Sequence, residues 1–226
     1  MSTITFDAVS HTFGERTVLR DIALQLTEHR IGIVGANGSG KSTLARMING
    51  LVTPTKGTVT VDGLNVSRRA KEVRRLVGFV FTNPDNQIVM PTVQEDVAFT
   101  LRRRGLDSAE IERRTATALE RFGLADHAEH PAHRLSGGQK QLLALAAVLV
   151  ADPRVVVADE PTTLLDARNT ARIQALLAGL EQQVIVVTHQ LELLAEFDRV
   201  IVIEEGRVVA DAAPSDALPE YLALIG

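Results

Sequence analysis

The distribution of apolar and polar positions divides the chain into three stretches. In the first, Ile4 to Val9 alternates as a strand does. A polar turn from His11 to Arg16 follows, and Val18-Leu19 with Ile22 to Leu26 predicts another strand pair. A short apolar run, Arg30-Ile31-Gly32-Ile33-Val34, leads through a glycine-rich turn into the helical pattern Leu44-Ala45-Arg46-Met47-Ile48. Gly57 to Gly63 reads as a strand ending in a turn, Ser67 to Leu76 as a basic helix, and Val77 to Phe81 as a buried strand. Thr82-Asn83-Pro84-Asp85-Asn86 stops that strand. In the second stretch, from about Pro91 to Ala151, helical periodicity takes over. Gln94 to Arg103, Ser108 to Phe122 and Ser136 to Val150 are the expected helices, with Ser108 as an N-cap and Glu110 and Glu112 in the first turn.

The third stretch returns to strands. Arg154 to Ala158 and Val184 to Val187 are continuous apolar runs of the kind buried on both faces of a parallel sheet. Helices are expected over Asp166 to Leu180 and Leu191 to Phe197. A hairpin of Val200 to Ile203 with Arg207 to Ala210 follows, and then an amphipathic segment from Pro214 to Gly226. The expected architecture is one α/β domain over 1–226, in which residues 91–151 form a helical insertion between 1–90 and 152–226.

At 226 residues the chain is long enough for such a domain with an inserted subdomain. There is no Cys, which excludes disulfides and thiolate metal sites. A net charge of −4, with 24 basic residues spread along the chain, does not favour nucleic acid as a partner. No apolar stretch approaches the ~18–20 residues of a membrane span, and the N-terminus lacks the pattern of a secretion signal. Contact with a membrane would therefore run through a partner protein.

Three patterns carry chemistry. Gly35-Ala36-Asn37-Gly38-Ser39-Gly40-Lys41-Ser42-Thr43 stands between a strand and a helix, the context of a phosphate-binding loop. Its glycines let backbone N–H groups turn inward, with Lys41 reaching the β- and γ-phosphates and Ser42 binding Mg²⁺. Leu135-Ser136-Gly137-Gly138-Gln139 opens an apolar helix with a Ser cap and two glycines, a second anion-receptive helix N-terminus. Val155 to Glu160 places two carboxylates at the carboxyl end of a buried strand. There Asp159 would hold Mg²⁺ and Glu160 would polarise an attacking water. His189 ends the next apolar run and is expected to face the same crevice, while Leu165-Asp166 begins a helix and could cross to a neighbouring subunit.

In this order and over essentially its whole length, the sequence resembles the ATPase subunits of ABC transporters. The matching pieces are Gly35 to Thr43 (phosphate loop), Leu135 to Gln139 (signature), Val155 to Glu160 (acidic strand), Leu165-Asp166 (D-loop) and Thr188-His189 (switch histidine). Val77 to Phe81, Asn83 to Val89 and Pro91 to Phe99 look like the energy-coupling factor group, whose members import vitamins and transition-metal ions. The resemblance implies a P-loop NTPase (RecA-like) core sheet with an N-terminal antiparallel β-subdomain and an inserted α-helical subdomain. It also implies ATP and Mg²⁺ as cofactors. The implied assembly is a head-to-tail dimer of ATPase chains on the cytoplasmic face of the membrane, with a transmembrane coupling protein and a substrate-binding membrane protein. Each ATP would lie between one phosphate loop and the Ser136 to Gln139 segment of the other chain.

Phe13, which on composition alone reads as packing under a turn, falls where the family places its adenine-stacking aromatic. A groove beside Thr82 to Phe99, with Glu95 and Asp96 exposed, would receive a helix of the membrane partner. Three departures stand out, one being that the chain is expected to end soon after the closing hairpin, without the long C-terminal dimerisation extension of many group members. Thr82 occupies the place of a Gln that touches Mg²⁺, where a shorter hydroxyl points to a bridging water, and Gln190 follows the histidine where Asp is frequent. The short chain is similar to the biotin and cobalt/nickel modules, with biotin favoured. The alternative is a soluble ABC ATPase acting on nucleic acid or ribosomes.

Overall fold

The computed structural model describes residues 1–102 and 104–226, so Arg103, the last residue of one expected helix, lies outside the described residues. The chain forms two compact units. One comprises Met1–Phe79, Arg154–Glu160 and Leu180–Gly226, and the other Val80–Pro153 and Pro161–Gly179.

The first unit holds two sheets. β1 (Ile4–Phe13) and β2 (Arg16–Leu26) are antiparallel, and the expected turn shrinks to Gly14-Glu15 because β1 continues to Phe13. β4 (Lys56–Val61) lies on the other side of β1, with β5 (Leu64–Asn65) outside it, giving the order β2-β1-β4-β5. The second sheet runs β10-β9-β3-β8-β7-β6. Its centre is β3 (Arg30–Val34), parallel to both β8 (Gln183–Val187) and β9 (Arg199–Glu204), while β7 (Val155–Asp159) is parallel to β8. β6 (Val77–Val80) forms one edge, and β10 (Arg207–Ala212) closes the other as the antiparallel partner of β9. Every residue of β3, β7 and β8 is buried, which explains why they are apolar apart from Arg30, Asp159 and Gln183 at their ends.

Helix α1 (Lys41–Ile48) follows β3. α2 (Ala70–Leu76) starts later than the sequence pattern predicts, because the Asn65 side chain accepts the backbone N–H groups of Ser67 and Arg68 and holds them in a turn. The expected helix over 191–197 is reduced to a single 3-10 turn, Leu191–Leu194. Leu194 is buried against Gly32, where a Cβ would come within 2.7 Å of it. The chain closes with α7 (Pro214–Ile225).

The second unit is helical: α3 (Val93–Arg102), α4 (Ser108–Arg121), α5 (Gly137–Leu149) and α6 (Ala167–Ala178). Residues 141–147 of α5 are all buried, so this helix is apolar on every face rather than amphipathic. Two expectations need correction here. The N-cap of α4 is Asp107, not Ser108, since the Asp107 carboxylate accepts the Glu110 N–H at 2.8 Å; Ser108 is the first helical residue, and of the two expected acids only Glu110 lies in the first turn. The second concerns the acids of α3. Asp96 is only 3% exposed, and its Oδ1 accepts the N–H groups of Val89 (2.8 Å) and Met90 (3.0 Å). Glu95 is half-buried and accepts both the backbone N–H and the hydroxyl of Thr92. Contrary to expectation Asp96 is therefore not exposed: it holds the loop before α3, while Glu95 accepts the N–H of Thr92 at the helix start, where an orphan donor needs an acceptor.

Burial pushes the Asp96 carboxyl above the usual carboxylate range, and the two N–H donors only partly offset this. A raised pKa in the folded state means that the penalty on the charged form grows as pH rises from the unfolded-state pKa. It is complete above the folded-state pKa and vanishes only below the unfolded-state pKa. Asp96→Asn keeps the accepting Oδ1 and removes the buried charge, so urea unfolding near neutral pH should show unchanged or increased stability. Asp96→Ala strands two N–H groups and should lose about 1–3 kcal/mol. Equal losses in both variants would contradict this account of Asp96.

Candidate active site

In the first unit β3 ends at Val34, and the loop from Gly35 to Gly40 turns the chain into α1. Two glycines are dictated by close approach. Gly35 has φ +150°, and a Cβ there would sit 2.0 Å from the Ile203 carbonyl oxygen; Gly40 has φ +110°, and its Cβ would meet the Val18 carbonyl oxygen at 2.8 Å. The loop is further tied by Ser39 N–H to Ala36 O (3.1 Å) and by Gly206 N–H to Ser39 O (3.0 Å). No described side chain caps α1, so its first N–H groups are left for an anion.

Lys41 is 6% exposed, and its ammonium donates to the carbonyls of Gly35 and Ala36, each at 2.8 Å. Desolvation lowers its pKa, while Glu160, Asp159 and Glu204 work in the opposite direction. The carbonyls hold the ammonium against the loop in which phosphates are expected.

The end of β7 lies beside α1. Ser42 Oγ donates to Asp159 Oδ1 at 2.7 Å, and Arg46 Nη2 reaches Asp159 Oδ2 at 3.1 Å. Asp159 is fully buried, and these two partners engage both of its oxygens. A carboxylate and a hydroxyl at this separation form a hard-oxygen pair of the kind that Mg²⁺ takes together with substrate phosphates, and the residues fit that ion. Glu160 follows with φ +54°, a left-handed conformation uncommon outside glycine, and its N–H donates to Val187 O at 2.9 Å. The twist turns its carboxylate to His189, whose Nδ1 lies 2.6 Å from Glu160 Oε2. Thr188 N–H donates to Ile33 O at 3.2 Å, which brings the end of β8 against β3 and so places His189 beside the loop strand. Phe13, at the end of β1, is 54% exposed and braced edge-on by His11 with ring centroids 4.4 Å apart.

In the second unit, Ser136 caps α5 in a capping box. Its hydroxyl accepts Gln139 N–H (3.3 Å), and Gln139 Oε1 accepts Ser136 N–H (2.9 Å). Gly137 is exposed and Gly138 buried. Asp166 caps α6 by accepting Asn169 N–H at 2.8 Å and also takes its side-chain amide at 3.0 Å. That amide lies over Gly138, where a Cβ would be 2.4 Å from Asn169. The structure thus joins Asp166 to the glycine pair through Asn169. Thr82 is half-buried in this unit, next to Asn83, whose side chain caps the turn Pro84–Asn86.

Arg46 and Asn169 escape the sequence reading. The available signal for Arg46 is its spacing: four residues after Ser42 on one helix, it shares the face that carries the metal-site hydroxyl. Asn169 is three residues after the capping Asp166, the N3 position to which a cap reaches.

The ABC transporter family model matches residues 19–163. A putative ABC transporter ATP-binding protein of Deinococcus radiodurans is 56% identical over 94% of both chains. The biotin transport ATP-binding protein of Rhizobium etli is 47% identical, covering 96% of this chain and 97% of its own. Among solved structures, CbiO1 from Clostridium perfringens, part of the ABC transporter complex CbiONQ, superposes with a TM-score of 0.84 at 31% identity, over 98% of this chain and 92% of that one. The chain belongs to the ABC transporter family as one of its ATP-binding, ATP-hydrolysing subunits, and it is similar to those of energy-coupling factor importers.

Gly35→Ala forces the loop away from Ile203 or β9 away from the loop. Equilibrium binding of a fluorescent ATP analogue should weaken at least about tenfold, and stability should fall by about 1–3 kcal/mol. Unchanged binding would show that the close approach at Gly35 does not shape the site.

Proposed function

We propose that this chain is the motor subunit of an energy-coupling factor importer, hydrolysing ATP to drive uptake of a small nutrient through membrane partners. The observation that carries this reading is the cluster of Lys41, Ser42, Asp159, Glu160 and His189 at the ends of three adjacent strands, beside an uncapped helix N-terminus. Phe13 stacks on the adenine. Backbone N–H groups from Gly35 to Gly40, with those of Lys41, Ser42 and Thr43, bind the phosphates, and Asn37, Gly38 and Ser39 form the crown of the loop. The Lys41 ammonium exchanges its carbonyl partners for β- and γ-phosphate oxygens.

Mg²⁺, when bound, neutralises charge on the phosphates and leaving group. Ser42 and Asp159 hold it, and Thr82 contributes through a water. Glu160 orients a water for in-line attack and takes its proton, while His189 fixes Glu160 through Nδ1 and offers Nε2 to the terminal phosphate. That one chain carries two anion-receptive helix starts, at α1 and at α5, supports a head-to-tail dimer. In it Ser136, Gly137, Gly138 and Gln139 of a second copy complete each site, and Asp166 reaches across. Among the described residues no helix is long and apolar enough to cross a membrane. The likeness to a subunit of the CbiONQ transporter complex supports a peripheral place at the cytoplasmic face, working through a transmembrane coupling protein. Biotin is the favoured cargo, on the strength of the relative named for biotin transport; a transition-metal ion is the other class.

Glu160→Gln should bind ATP, accumulate as a closed dimer on size-exclusion chromatography, and lose at least about 100-fold in turnover. Full turnover in that variant would remove Glu160 from the role of base. Thr82→Gln should retain ATP binding and turnover, with the Mg²⁺ dependence of hydrolysis shifted to lower concentration as the longer amide reaches the ion directly. Loss of nucleotide binding would place Thr82 elsewhere. Affinity purification of the tagged chain from its native membrane should recover proteins with several apolar spans; recovery with ribosomes or nucleic acid alone would overturn the transport role.

A further inference from the structure

We propose that His127 and His130 form a proton-ordered relay that positions the signature segment, holding Gln139 and Ser136 in place only while both rings are neutral. This inference rests on the role given above to Ser136 through Gln139 in closing the ATP site, and it adds the residues that control that segment.

The backbone of Ser136 sets the direction of the whole chain of hydrogen bonds. Its N–H can only donate, and it donates to the Gln139 side chain at 2.9 Å, so the accepting atom is the amide oxygen. The other amide atom is therefore Nε2, which only donates. It lies 2.9 Å from His127 Nε2, so that ring nitrogen must accept and the His127 proton must sit on Nδ1. His127 Nδ1 is in turn 2.8 Å from His130 Nδ1, which must then accept, leaving the His130 proton on Nε2. One arrangement of protons satisfies every link, from His130 through His127 and Gln139 to the backbone of Ser136.

A further proton defeats it wherever it lands. On His127 it sets a ring N–H against the Gln139 amide N–H; on His130 it sets two ring N–H groups against each other. Either event removes the partner that aims the Gln139 amide, and with it the reciprocal bond that makes Ser136 and Gln139 a capping box. The relay is accessible, since His127 is half-buried and His130 exposed. It is also rigidly mounted. Ala128 O accepts Gln94 N–H at 2.9 Å and His130 O accepts Val93 N–H at 3.2 Å, so the segment is bonded to the start of α3.

The titratable and charged groups on the surrounding elements are Asp126, Glu129, His133 and Arg134 on the same segment, Glu95, Asp96 and Arg102 on α3, Glu112, Glu120 and Arg121 on α4, and Lys140 on α5. Glu95 is engaged by Thr92 at 2.8 Å and Lys140 by Asp85 at 2.7 Å, so both are already committed to partners. Protonation of either ring would therefore loosen the signature segment while leaving the phosphate loop intact.

The test compares the wild-type chain with a His127→Gln/His130→Asn double variant, whose amides can repeat the donor order without titrating. Turnover and fluorescent-ATP binding are measured from about pH 8 to about pH 6, and the imidazole ¹⁵N shifts of the wild type are recorded at about pH 8. Wild-type turnover should fall severalfold more than that of the double variant over this interval, with nucleotide binding unchanged in both. His189 is common to both proteins, so the difference isolates the relay. The nitrogen shifts should place the proton of His127 on Nδ1 and that of His130 on Nε2. Parallel pH profiles in the two proteins, or a His127 proton on Nε2, would overturn the proposal. Absence of hydrolysis at every pH would count against the proposed function instead, and the nitrogen shifts would still decide the relay.

Discussion

The buried ammonium of Lys41 sets the terms for everything around it. A lysine head group removed from water is unfavourable unless oxygen acceptors and negative charge surround it. Here the acceptors are carbonyls of its own loop, at Gly35 and Ala36, and the charge comes from Asp159, Glu160 and Glu204. Those demands fix where β3, β7 and β9 must end. They also explain why Gly35 cannot carry a side chain: the loop has to run within touching distance of the Ile203 carbonyl to bring its own oxygens over the ammonium.

The acidic strand end answers the same constraint from the other side. Asp159 is fully buried and shares its two oxygens between Ser42 and Arg46, while Glu160 takes a left-handed backbone and turns to His189. Protein groups that ATP and Mg²⁺ would displace balance the charge among themselves. A site of this kind is assembled beforehand and exchanges partners on binding, so little reorganisation is left for the chemical step. The strain at Glu160 is maintained by its N–H bond to Val187 and by the ring of His189, both supplied by the neighbouring strand end.

The parts of this arrangement that are local along the chain are legible in the amino-acid sequence. A strand, a glycine loop and a helix stand within twenty residues, and continuous apolar runs reveal strands buried on both faces; the α/β core with its helical insertion and the phosphate loop follow from these. Features that depend on long-range pairing are not legible in the same way. Asp96 looks like a solvent-facing helix acid until the preceding loop is seen to bend its N–H groups onto it. Arg46 belongs to the acidic centre only because β7, more than a hundred residues later, ends beside α1. The histidines at 127 and 130 belong to no motif in the sequence, and only the orientation forced on Gln139 by the Ser136 backbone gives them a direction. Short elements are the hardest to read. The stretch after His189 has helical spacing, yet it forms one 3-10 turn because Leu194 must reach Gly32.

The central claim is that each working site is shared between two copies, with the phosphate loop from one and the Ser136 to Gln139 segment from the other. The absence of cysteine from the chain allows a direct measurement. One chain would carry Asn37→Cys and a differently tagged chain Ser136→Cys, both in the Glu160→Gln background and both at exposed positions. The account predicts a disulfide between the two kinds of chain that forms with ATP and Mg²⁺ and not without them, while neither kind links to itself. Two chains that bind ATP but form no such cross-link, or that link only like to like, would contradict it.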